Sequence, residues 1–489
     1  MLQYQVGFGD EGERKMKLRS VVASVILVFL LAAAGRSAAL ESRTLTRRND
    51  PIQVPGELLG KFKGVSLDLL RLYVFTQGAM TPIVYQIDER LPNGNFIFMV
   101  GEKANPREAN RLLDPQDFLV FRVQDAGDRA SPIDWPAGAK DALEIELGDP
   151  LDQGRAWVYL CRFEAPAPQP LILDTIRLLH WDPWVSPELP FIVESDYFHF
   201  EGRVNTVRGK VYKTAINKVF QVPEGAGGTN QNLLDAHKMR AWVELFFGKV
   251  RIEANETDMI GGIARLTHGL VRGYGRQWLT IALPLGLKAP RIYSDVITHD
   301  RIIISPMRIS LPINPETIVT RMGLAFGYDL NRNAYGMRFY SPNCLGGATI
   351  DGKMSAQEKA IPTDLAPWSC ITGPQGTLLM RAVFDPRMLQ QTRSRLTYLD
   401  DLNVSLPPEG IPGSIGYVQT SIETESMKAG GYDFFIHWYF PDHFYDPQGF
   451  KMDVLQEFLN IEDHPVVIRV EGKQAENAAL RPPPLEVSE

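Results

Sequence analysis

Cysteine is scarce, three in 489 residues, which excludes a disulfide-dense scaffold. None of the three stands in a CxxC, CxxCH or zinc-ligand spacing, so the chain encodes no thiol–disulfide relay, covalent haem or structural zinc. Two compact catalytic signatures are missing as well: there is no G-x-S-x-G elbow and no HExxH. No cofactor and no metal is therefore expected. Positive charge is neither abundant nor clustered. Lys and Arg total 51 against 58 Asp and Glu, a net charge of -7, which excludes a nucleic-acid partner held by phosphate neutralisation. Beyond the N-terminus no apolar run approaches the ~20 residues of a spanning helix, although a β-barrel is not excluded by that.

What is present is strand signal. Phe96–Val100, Phe118–Val123, Leu171–Leu173, Trp242–Phe247 and Arg301–Ile304 are short, rich in aromatic and β-branched residues, and bounded by Gly, Pro, Asn or Asp. Helical spacing is confined to Lys451–Asn460 and Met388–Leu396. With 44% hydrophobic residues, 41 Gly and 35 Pro, the expected class is all-β, with antiparallel sheets packed face to face as a β-sandwich. The run Glu164–Pro170 holds three prolines and neither feeds a ladder nor continues a helix. It divides a smaller N-terminal β domain, residues 40–165, from a large β-sandwich domain, residues 171–472, with a disordered tail over 473–489.

The N-terminus carries an address. Lys17 and Arg19 precede an apolar run from Val21 to Ala34, and Ser37-Ala38-Ala39 places small residues at the −3 and −1 positions before Leu40. This pattern predicts a secretory signal peptide over residues 1–39, started at Met16, with a retained anchor as the lesser reading. The expected location is periplasmic or secreted, with no membrane span after cleavage. In an oxidising compartment Cys344 and Cys370 become a candidate disulfide, whereas Cys161 reads as a buried thiol.

The stretch Pro82-Ile-Val-Tyr-Gln-Ile-Asp-Glu89, followed by Asp117-Phe-Leu-Val-Phe-Arg-Val-Gln-Asp-Ala-Gly-Asp128, resembles the opening of uncharacterised exported β-sandwich proteins. There a P-x-Q-[IVL]-D-[DE] strand precedes an acidic loop and a D-E-L-V-F strand. Similar openings occur in a domain family of unknown function found among polysaccharide-degradation proteins, whose sandwich looks like the galactose-mutarotase type. The match covers about fifty residues and fades after Asp128. It implies a supersandwich-like fold and a carbohydrate connection. In those relatives the acidic loop reads like a calcium loop. Here Glu108, Asn110, Asp114 and Asp117 stand with Arg111 in place of the turn glycine and the first acid missing, a departure from the sharp turn that a hard cation requires.

Two constellations invite chemistry. In a strand spanning Tyr432–Phe440, alternate residues face opposite sides, so Tyr432, Phe434, Ile436, Trp438 and Phe440 form an apolar face. Asp433, Phe435, His437 and Tyr439 form the other, mixing rings and polar tips as a sugar-binding groove does. An ordinary two-sided sandwich strand has the same pattern. Second, His268, Arg272, Tyr274 and Arg276 gather among glycines, residue types that could neutralise a uronate and remove its C5 proton in a β-elimination. A strand with an exposed basic face and a glycine bulge is the alternative there. Tyr293, Asp295, His299, Asp300 and Arg301 follow on the next hairpin. The residues together point to an exported β-sandwich protein that binds a glycan or an envelope partner without catalysis. A polysaccharide lyase or glycoside hydrolase of supersandwich type is the first alternative, and a structural component of an envelope assembly is the second.

Overall fold

The computed structural model describes residues 40–480 except 183–185, 208–209, 257, 282–291, 312–318, 404–413 and 426–427. The expected signal segment, and residues 481–489 of the expected tail, lie outside the described residues. The architecture is all-β, with antiparallel sheets. Among the described residues no helix is long and apolar enough to cross a membrane.

Two sandwiches share the chain. In the N-terminal one, a three-stranded sheet, ordered Pro51–Pro55, Phe118–Arg122, Gln86–Asp88, faces a six-stranded sheet that includes Leu70–Thr76, Asp141–Gly148 and Arg155–Arg162. Alternation dictates this packing: Leu143, Ile145 and Leu147 point inward to meet Leu119, Phe121, Val158 and Leu160. The six-stranded sheet is extended at one edge by Val467–Val470 and Lys473–Glu476, the former pairing antiparallel with Asp141–Gly148. This corrects two sequence expectations. Residues 467–470 belong to the N-terminal sandwich rather than to the large one, and 473–476 form a strand rather than a disordered tail. Both strands are too short, and too far from their partners in sequence, for a local pattern to reveal the pairing.

The larger sandwich packs a five-stranded sheet against a ten-stranded one, and a four-stranded sheet (Arg177–Leu179, Ile192–Glu194, His199–Val207, Lys210–Gln221) adds to the same core. The centre of the ten-stranded sheet is Gly430–Tyr439, flanked by Ile302–Leu311 and Gly376–Phe384. Both faces of this sheet are covered. One meets the inter-sheet core around Phe326, Tyr328, Phe434, Ile436 and Trp438. The other is roofed by the helix Met452–Asp463, through Leu455, Phe458, Leu459 and Ile461, and by Phe96 and Phe98 from the N-terminal part.

The expected helix near Lys451–Asn460 is present as Met452–Asp463. The expected helix over Met388–Leu396 is a single turn, Pro386–Leu389, and the chain is already a strand from Arg393 to Asp400. Pairing with Ser414–Thr424 overrides the local helical spacing. Two expected strands are also displaced. Phe96–Val100 contributes only an isolated bridge between Phe96 and Arg90 and the short pairing at Val100–Gly101, because Phe96 and Phe98 turn into the core beneath the long sheet. Leu171–Leu173 pairs with nothing and is exposed.

Candidate functional site

Strand Gly430–Tyr439 has the register expected from its sequence, with Ile436 and Trp438 buried in the core. Trp438 packs 5.7 Å from Tyr328 and 5.5 Å from His237, between ring centroids. The opposite face is not a groove. His437 and Tyr439 are fully buried beneath the helix Met452–Asp463, and the Tyr439 ring lies 5.9 Å from that of Phe458. His437 Nδ1 sits 3.2 Å from the Tyr439 hydroxyl and 3.3 Å from the Glu462 carboxylate. Phe435 is half-buried against the same cluster. Asp433, also half-buried, accepts two hydrogen bonds from Arg308 on the neighbouring strand, at 2.6 and 2.7 Å. The expectation that Asp433, Phe435, His437 and Tyr439 line a ligand groove is therefore corrected. Period two reports which residues share a face, and a helix further along the chain decides whether that face meets water.

The second constellation is divided by the sheet itself. His268 pairs with Gly273 and Thr267 with Tyr274. Cross-strand partners share a face, so His268 lies opposite to Arg272 and Tyr274. The His268 Nε2 meets the Ile176 carbonyl at 2.8 Å. Tyr274 donates its hydroxyl to the Ile97 carbonyl at 2.9 Å, and burial pushes its phenol well above the ordinary range. Arg276 is held by Asp295 at 2.8 and 3.2 Å. Arg301 is held by Asp442 at 2.5 Å and stacks over Tyr197. His299 is buried beside Arg272, and burial holds its imidazole well below its ordinary value. The catalytic grouping of His268, Arg272 and Tyr274 is corrected accordingly: these side chains do not converge.

Arg272 explains the motif that carries the family resemblance. It is fully buried and donates from Nε to Asp88 and from Nη1 to Gln53, both at 2.7 Å. Gln86 accepts from the backbone N–H groups of Val271 and Arg272 at 2.8 and 2.9 Å, and donates to Asp88 at 2.6 Å. The Gln and Asp of the Q-I-D strand thus lock the three-stranded sheet onto the long sheet. The acidic loop closes on itself. Asn110 donates to Asp114 at 2.7 Å, and Asp117 receives the backbone N–H groups of Asp114 and Arg90 at 2.7 and 2.9 Å. Burial raises the Asp117 carboxyl to about 6. Arg111 takes the left-handed turn at φ 57 and pairs with Asp68 at 2.6 Å. Among the described residues no group of three or more His, Cys, Asp or Glu could hold a metal ion.

Cys344 and Cys370 are free thiols, which corrects the expected disulfide. They lie on strands Cys344–Thr349 and Trp368–Gly373, with Arg338–Ser341 between them. Strands two apart are roughly 9–10 Å from each other, beyond the span of about 4.4–6.8 Å between Cα atoms that a disulfide bridges.

Among the described residues three cavities stand out, one of them a polar cleft of about 620 Å³ lined by Arg43, Thr44, Leu45, Thr46, Arg48 and Gln124. A slot lined mainly by apolar side chains, His237 and Trp438 among its lining, holds only about 60 Å³. Burial depresses the His237 imidazole to about 4. Ligand pockets run to roughly 300–1,000 Å³, so this slot is a packing gap rather than a receptor. The third is a groove of about 550 Å³ on the outer face of the six-stranded sheet. Its floor follows from alternation: in Ala142-Leu-Glu-Ile-Glu-Leu147 the leucines and isoleucine fill the core, and Glu144 and Glu146 face outward. Tyr159 pairs across from Glu144, and its hydroxyl accepts the Ala130 N–H at 2.7 Å. Trp135 forms one wall, following a turn whose Ser131 and Asp134 cap each other. The opposite wall is the turn after Arg469, where Glu471 and Gly472 adopt left-handed backbone at φ 48 and 78. Arg129 grips Glu144 at 3.1 and 3.2 Å, and Arg469 grips Glu146 at 2.8 Å. The charged lining is balanced: Lys61, Arg469 and Lys473 against Glu144, Glu146 and Glu471. Only the Glu144/Glu146 alternation is legible in the sequence, because the two walls come from loops more than 300 positions apart.

No family model and no curated protein matches the chain. Its structure is similar to a glycosyl hydrolase family 38 protein from Enterococcus faecalis, at 8% identity over 89% of this chain and 46% of that one, TM-score 0.43. It is similar also to the heparan sulfate lyase HepC from Pedobacter heparinus, at 9% identity over 64% and 43%, TM-score 0.28. A protein assigned as an aldose 1-epimerase from Klebsiella pneumoniae shares 9% identity over 56% and 83%, TM-score 0.29. The chain spans less than half the length of the first two.

Proposed function

We propose that this protein is exported, its leader removed before Leu40, and that it binds a neutral glycan without catalysis in the groove between Trp135 and Arg469. The observation that carries this reading is the groove's composition. The indole of Trp135 lines it together with hydrogen-bonding groups, three cationic and three anionic side chains. The apolar face of a sugar ring stacks on an aromatic plane, and its hydroxyls take up fixed donors and acceptors. Balanced charge favours a ligand with no net charge of its own. Arg129 and Arg469 hold Glu144 and Glu146 as stationary acceptors, an arrangement suited to recognition. Glycoside hydrolysis instead needs one carboxyl placed as proton donor and another on the far side of the bond. The engagement of Arg272, Tyr274 and Arg276 in structural bonds removes the support for a lyase.

The test is a glycan array followed by calorimetry on the best neutral oligosaccharide. Trp135→Ala should weaken binding about tenfold, since a ring stack contributes on the order of 0.5–1.5 kcal/mol beyond its area. Glu146→Gln should weaken it less, and both variants should keep the wild-type far-UV circular dichroism spectrum. Binding that survives Trp135→Ala at full strength, or measurable bond cleavage by the wild type, would overturn the proposal.

A further inference from the structure

The hairpin joining Leu234–Leu245 to Val250–Ala254 ends in Phe246-Phe247-Gly248-Lys249. Both phenylalanines sit in left-handed backbone, φ 53 and 60, ahead of Gly248 at φ 77. Residues bearing a β-carbon disfavour this region, and bulky ones most. The turn nevertheless displays them to solvent: Phe246 is 54% and Phe247 is 94% exposed. The apolar surface continues along the hairpin. Leu245 pairs with Val250 and Val243 with Ile252, and Val250 and Ile252 are 42% and 39% exposed. The other face carries Trp242 and three charged residues, with Arg251 ion-paired to Glu244 and Glu253. Lys249 is the one charged residue within the tip.

We propose that this tip inserts shallowly into a lipid bilayer, burying Phe246 and Phe247 at the headgroup–acyl boundary while Lys249 meets anionic lipid phosphates. A fluid apolar medium suits a convex point with an almost completely exposed ring, and aromatic rings beside a basic residue are the composition that partitions to that boundary. Pairing with a second copy along the edge strand is opposed by Arg251 and Glu253, charges of the kind that guard sheet edges. The site is separate from the glycan groove and does not rest on it.

The experiment uses the mature chain with extruded vesicles of phosphatidylethanolamine and phosphatidylglycerol. Phe247→Trp supplies a reporter at the tip, and its emission should move to shorter wavelength on insertion and be quenched by brominated acyl chains. The double variant F246N/F247G removes both rings while suiting left-handed backbone better than the wild type, so lost binding cannot be ascribed to misfolding. It should reduce vesicle co-flotation by about a hundredfold or more, on the scale of two buried aromatic side chains. Lys249→Glu should weaken binding to anionic vesicles and leave the weaker binding to phosphatidylcholine vesicles unchanged. Absence of quenching, co-flotation of F246N/F247G equal to wild type, or a lipid-independent dimer that this variant disperses would overturn the proposal.

Discussion

Asp88→Ala tests the claim that the Q-I-D strand is a docking device. The perturbation removes the carboxylate that faces the Arg272 guanidinium, which is fully buried and keeps only Gln53 as a side-chain acceptor. Stranding a buried charge by deleting its partner costs about 3–5 kcal/mol. The lost bond from Gln86 to Asp88 adds about 1 kcal/mol. The expected loss is therefore about 4–6 kcal/mol, a large fraction of a typical domain's stability. Urea unfolding followed by far-UV circular dichroism and tryptophan fluorescence reads it, scored on the first transition because a chain with two sandwiches need not unfold in one step. Asp88→Leu combined with Arg272→Met removes both charges and should recover more than half of the loss, a coupling that independent sites do not show. An Asp88→Ala cost below about 1 kcal/mol, or strict additivity in the double variant, would refute the reasoning.

His237 titrates at about 4 in the fold against an ordinary 6.5, so the unfolded chain takes up its proton first and stability falls as pH drops through that window. Between pH 7 and pH 5 the wild type should lose about 2 kcal/mol more than His237→Phe; equal losses in both proteins would contradict this. Iodoacetamide under native conditions should label half-buried Cys344 ahead of Cys370, whose thiol is fully enclosed and pushed upward by burial. A cross-linked peptide containing both, recovered without reductant, would show the strand order to be wrong. Intact mass of the secreted protein should place the N-terminus at Leu40, and a retained apolar segment would show that no cleavage occurs.

Much of the fold is legible in the residues, and the limit of that legibility has a physical cause. Alternation places Ile436 and Trp438 in the core, and Leu143, Ile145 and Leu147 likewise. It is silent about the layer above a face, so His437 and Tyr439 read as groove residues until the helix Met452–Asp463 covers them. Glycine-spaced His268, Arg272 and Tyr274 look like one cluster along the chain, but pairing across the hairpin sends His268 to the other face. The groove between Trp135 and Arg469 is the converse case. Trp135 and Arg469 carry no shared local pattern, and only the pairing of Val467–Val470 with Asp141–Gly148 brings them to one floor.

That pairing also orders events in time. Arg469 and Glu146 meet across 323 positions, so the first sandwich lacks this edge until residues 467–476 have been made. Closing so long a loop delays the contacts that reward it, and an N-terminal half synthesised alone keeps the edge of Asp141–Gly148 unpaired. For a chain that we propose to be threaded outward before it folds, lateness is useful. On that proposal, the N-terminal sandwich completes its six-stranded sheet only once Val467–Val470 and Lys473–Glu476 have followed it across.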